Sequence, residues 1–114
     1  MRHLTLSSRD ANLIRRLADA SRRVVVVAVC GRPLCIPPPL LAMIDALVAA
    51  WLPGTEGSGV ADVLFGAAPA SGKLSFSWPR DSSQPRRADR SDTNPLFPFG
   101  FGIDIPARKD APVC

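Results

Sequence analysis

Val24-Val25-Val26-Val27-Ala28-Val29-Cys30-Gly31-Arg32-Pro33 is the stretch on which the fold turns. Seven apolar residues run without polar alternation, and most are β-branched. Such residues suit a pleated surface better than a helix. An unbroken apolar strand is expected to be covered on both faces, as in a parallel sheet flanked by helices. Gly31-Arg32-Pro33 ends it in a tight turn. Residues 24–30 are therefore expected to form a buried strand, with Cys30 as a buried thiol.

Upstream, the chain reads as a helix. Ser7 or Ser8 is suited to cap it, and Asp10 falls in the first turn, where the helix dipole favours negative charge. Leu13, Ile14 and Leu17 form one apolar stripe, while Arg9, Arg15, Arg16 and Asp19 lie mainly elsewhere. A helix followed by a buried strand is the grammar of α/β proteins.

Downstream, Pro37-Pro38-Pro39 is a stiff connector whose last proline suits the first position of a helix. Residues 40–51 allow two readings. Propensity favours one helix through Leu40, Leu41, Met43, Ile44, Leu47 and Val48. The alternative is a short helix to about Asp45 and then a buried strand over residues 46–51. Next comes the corner Trp51-Leu52-Pro53-Gly54-Thr55-Glu56-Gly57-Ser58-Gly59. A short helix over residues 59–65 follows, capped near Thr55 and closed by Gly66. Residues 73–78 alternate as a half-buried strand. Residues 79–94 read as a polar surface loop, residues 95–103 as an irregular apolar arm, and the chain from Asp104 as a frayed tail.

The 114 residues suffice for one small domain; 46% are hydrophobic and 21% charged, with a net charge of +4. Cys30, Cys35 and Cys114 show no CxxC spacing and no nearby histidine, so a zinc site is not expected; their disulfide state stays open. Residues 1–20 lack the apolar core of a signal peptide. The three prolines and Asp45 argue against a membrane span over residues 34–52.

Several local patterns occur in one order. They are the valine strand with Gly31-Arg32-Pro33, Asp45-Ala46 to Trp51-Leu52-Pro53-Gly54, and Glu56-Gly57-Ser58-Gly59. After these come Ala61-Asp62-Val63-Leu64-Phe65-Gly66, Ser71-Gly72-Lys73-Leu74 with Ser77-Trp78-Pro79, and Pro98-Phe99-Gly100-Phe101-Gly102. This ordered set resembles the C-terminal part of family 3 glycoside hydrolases, above all the plant exo-β-glucanase and β-glucosidase branch, over about residues 4–103. The resemblance implies an α/β fold: a partial α/β sandwich with a mostly parallel sheet. It also selects the helix-then-strand reading of residues 40–51. Residues 1–103 would form an incomplete C-terminal domain lacking its N-terminal barrel, with 104–114 as a tail.

In that family the chemistry is retaining hydrolysis of terminal β-glucosidic bonds. The nucleophile is an Asp on the barrel, and the acid/base in this branch is a Glu upstream of the valine strand. No position here matches either. Catalytic residues are therefore expected to be none, substrate-binding residues are unassigned, and no cofactor or metal is expected. The chain alone is expected to be catalytically silent and only marginally stable. The implied partners are a β-glucoside or β-glucan and the missing barrel, and the implied location is extracellular, in the cell wall. The alternatives are a non-catalytic carbohydrate-binding or interaction module and a non-functional gene fragment. Ala67 stands where the family often has Asp, and Ile103-Asp104 replaces the usual Leu-Ser/Thr.

Glu56 is the only glutamate. As a catalytic acid it would need a second carboxyl about 5 Å away in a retaining enzyme, with Asp45 and Asp62 available by count. The simpler expectation is a turn and cap residue at a helix N-terminus. Gly57-Ser58-Gly59 lacks GxGxxG and P-loop spacing, so it reads as a corner and not a phosphate cradle. Trp51 is expected to pack, the exposure of Trp78 stays open, and Phe97, Phe99 and Phe101 are expected to pack. Arg80, Arg86, Arg87 and Arg90 are offset by Asp81, Asp89 and Asp92, which argues against nucleic acid. His3, Ser71 and Ser77 form no triad pattern, and Ser91-Asp92-Thr93 lies far from any family nucleophile position.

Overall fold

The structure is a computed structural model, and it describes residues 5–84 and 94–110. Helix α1 (Ser8–Ala20) leads into strand β1 (Val25–Val29). A four-residue helix α2 (Pro38–Leu41), strand β2 (Ala46–Trp51) and helix α3 (Gly57–Phe65) follow. β1 and β2 pair in parallel, joined by a crossover through α2. This is a small α/β unit, as the valine run requires.

Ser7 caps α1. Its hydroxyl oxygen accepts the Asp10 backbone N–H at 3.1 Å, while the hydroxyl donates to the Asp10 carboxylate at 2.6 Å. Helix α2 starts on the proline run, whose fixed φ suits a first turn. It stops at Leu41, short of the expected Asp45, because Asp45 is drawn away into the start of the sheet. The Val24 carbonyl accepts the Asp45 N–H at 2.9 Å, and the Asp45 carboxylate accepts the Val24 N–H at 2.8 Å and an Arg23 N–H at 2.7 Å. Those bonds stabilise the ionised form. The Val24 amide first and then the Arg23 guanidinium hold the Asp45 carboxyl below its ordinary value.

The core sits on one face of the two strands. Ile14 of α1, Ile36 and Leu40 are buried together, with Val26 and Leu47 packed against them from the sheet. The opposite expectation for β1 fails in part: no residue of Val25–Val29 is fully buried, and its ends Val25 and Val29 are 52% and 62% exposed. The α1 stripe is also only partly used, since Leu13 and Leu17 stay exposed beside buried Ile14. A two-stranded sheet is too narrow to shield either set. Cys30 is half-buried, and Cys35 is the buried thiol.

Residues 73–78 form no strand of their own. They run beside the 95–105 arm, joined by single bridges at Ala70–Ile105 and Trp78–Phe97 and by bonds between Leu74 and Phe101 and between Gly100 and Leu74. The expected frayed tail is tied as far as Arg108. Lys73 bridges to the Asp104 carboxylate at 2.8 Å, and the Arg108 N–H reaches the Gly66 carbonyl at 2.7 Å. Among the described residues, no helix is long and apolar enough to cross a membrane.

Two outcomes follow from these contacts. Because the native state depresses the Asp45 carboxyl, its contribution is present above the unfolded carboxylate pKa of about 3.9 and is lost as pH falls through the lower folded value. Asp45→Asn is expected to lower the thermal midpoint at pH 7, with the gap to wild type narrowing as pH falls below the unfolded carboxylate value of about 3.9; an equal gap in neutral and in acid solution in parallel melts would contradict this. Gly66 closes α3 at φ 85°, and a Cβ there would meet the Arg108 side chain at 2.8 Å. Gly66→Ala is expected to cost about 1–2 kcal/mol in urea unfolding, the cost of a left-handed non-glycine residue.

Candidate functional site

The corner after β2 lies at the carboxyl end of the parallel strands, the end at which open α/β sheets bind ligands. Its geometry begins with a bulge. Ala28 pairs with Ala49 but Val29 pairs with Trp51, so Ala50 is one residue extra. The insertion reverses the alternation: Trp51 shares a face with Val27 and Val48, opposite the α1–α2 layer. Trp51 also has φ 55°, a left-handed conformation that is uncommon for a bulky residue. Its carbonyl accepts the Cys30 N–H at 2.9 Å, which locks the distorted end of the ladder.

The ring of Trp51 meets Phe76 edge-on at 5.4 Å between centroids and Trp78 at 6.0 Å. Trp78 is 2% exposed, and its indole N–H donates to the Leu34 carbonyl at 3.0 Å. The open question about Trp78 thus resolves to burial, and its partner satisfies the buried N–H. Trp51 is half-buried against this pair. Phe97 stacks on Phe101 at 4.9 Å, which makes that pair a packing unit. Phe99 is 39% exposed.

Beyond Trp51 the chain turns at Gly54, φ 60°, and the Glu56 N–H closes the turn on the Pro53 carbonyl at 3.0 Å. Glu56, not Thr55, occupies the cap position of α3. Its side chain makes no capping bond; it accepts only the Thr55 hydroxyl at 3.3 Å and stays exposed. The expectation of Glu56 as a side-chain cap is corrected to a backbone role. The first turn, residues 56–59, is exposed, so water is available to its unpaired N–H groups. The helix carries no acidic residue in its first turn after that cap.

Asp45, Glu56 and Asp62 sit on three different stretches of the chain. Asp45 lies before β2 and Glu56 after it, and the six residues between the strand's ends span about 20 Å. Asp62 is six residues further along α3 than Glu56, about 9 Å along the axis and on another face. Among the described residues, no group of three or more His, Cys, Asp or Glu side chains is placed to hold a metal. Arg80 donates to the Asn94 and Pro95 carbonyls, so it closes the base of its loop. Burial, with a smaller contribution from Asp81, pushes the Cys35 thiol up and leaves it poorly nucleophilic. His3, Arg86, Arg87, Asp89, Arg90, Ser91, Asp92, Thr93 and Cys114 lie outside the described residues.

The profile of the glycosyl hydrolase family 3 C-terminal domain matches residues 1–105. The chain belongs to glycoside hydrolase family 3. Its family 3 relatives include the lysosomal beta glucosidase of Dictyostelium discoideum, 33% identical over 88% of this chain and 13% of that protein. The probable beta-glucosidase J of Emericella nidulans is 40% identical over 94% of the chain and 15% of its own length. The periplasmic beta-glucosidase of Salmonella typhimurium is 31% identical over 89% and 16%. The family 3 sequence described here therefore spans less than a fifth of each relative's length.

The residues missed from sequence are partners more than actors. Arg23 for Asp45, Arg108 over Gly66 and Leu34 for Trp78 have no local signature, because each contact joins distant segments. Two outcomes check the corner. Trp51→Ala is expected to cost about 2–3 kcal/mol, below the range for a fully buried tryptophan, whereas Glu56→Gln changes stability by less than about 0.5 kcal/mol. Chemical unfolding of both variants measures the contrast, and a larger loss for Glu56→Gln would contradict the geometry.

Proposed function

We propose that this domain serves as the C-terminal portion of an exo-acting β-glucosidase or β-glucanase, one that releases terminal glucosyl units with retention. The observation that carries the reading is the family match across residues 1–105, joined to relatives named as beta-glucosidases. In this reading the two catalytic carboxyls come from polypeptide outside these 114 residues, including an N-terminal barrel domain, and the chain by itself is silent. Support comes from the separation of Asp45, Glu56 and Asp62. A retaining enzyme needs two carboxyls about 5–5.5 Å apart, whereas β2, a strand of about 20 Å, lies between Asp45 and the corner that carries Glu56. Export from the cytosol accords with relatives named lysosomal and periplasmic.

A chimera tests the positive part. Residues 1–105 replace the matching stretch of the Emericella nidulans relative, and hydrolysis of 4-nitrophenyl β-glucoside is expected to survive. A folded chimera with no turnover would overturn the assignment. The silent part has its own test: the purified chain releases no nitrophenol above the buffer blank. Turnover that disappears in Glu56→Gln would sink it. A second reading, a non-catalytic carbohydrate-binding module, draws on the exposed ring of Phe99. Calorimetric titration with a β-glucan oligosaccharide tests it: a saturable isotherm for the isolated chain favours the module.

A further inference from the structure

We draw no further inference here: the strongest candidate, the exposed apolar surface of Val25 and Val29 on β1 and of Leu13 and Leu17 on α1, carries nothing, because the chain spans less than a fifth of each relative's length and nothing in the structure shows what covers that surface.

Discussion

Val24 and Asp45 hold each other at both ends: each backbone N–H finds an oxygen of the other residue, at 2.8 and 2.9 Å. This exchange joins segments 21 residues apart and sets the register of the only two-stranded sheet among the described residues. The register then places Val26 and Leu47 against the buried cluster of Ile14, Ile36 and Leu40. It also explains the short α2, because the Asp45 that would extend the helix is spent on the sheet. Arg23 completes the arrangement at the surface, where an exposed ion pair adds little by itself. The backbone bond to the carboxylate matters more, since it satisfies an amide at the strand's entrance.

At the far end of the ladder the constraint is different. One extra residue, Ala50, turns Trp51 away from the α1–α2 layer and into the Phe76–Trp78 cluster. That cluster links the sheet to the irregular 70–78 and 95–105 segments. The left-handed backbone of Trp51 costs about 1–3 kcal/mol on general grounds, and burial of aromatic surface offsets it. The corner therefore has a packing explanation for its strain. Glu56 sits just beyond, exposed, its backbone closing a turn. Family membership and corner geometry are thus complementary: the motif identifies a glycoside hydrolase domain, while its residues shape the domain.

The fold was legible where local chemistry is one-sided. Ser7 and Asp10 announce the start of α1, Gly66 ends α3 in the left-handed region, and the valine run allows little but a parallel strand. Residues 40–51 were ambiguous from periodicity, because a short apolar run satisfies either a helix or a strand. Burial was less legible. A run such as residues 24–30 states that it prefers two covered faces, but not whether the neighbouring chain is wide enough to cover them. The same limit applies to Cys30 and Cys35, whose burial depends on what lies across the turn.

By itself the sequence determined the α/β class, the cap of α1 at its serines, the end of α3 at Gly66, the turn at Pro53-Gly54 and, through an ordered set of motifs, the family. These depend on residues close in the chain, whose backbone preferences act locally. Only the tertiary structure decided that Asp45 ends α2 early, that Trp78 is buried on a Leu34 carbonyl, that Arg108 anchors the 104–108 segment, and that Glu56 caps nothing with its side chain. Each of those depends on a contact between distant segments, and such contacts are fixed by packing in three dimensions and carry no signature along the chain.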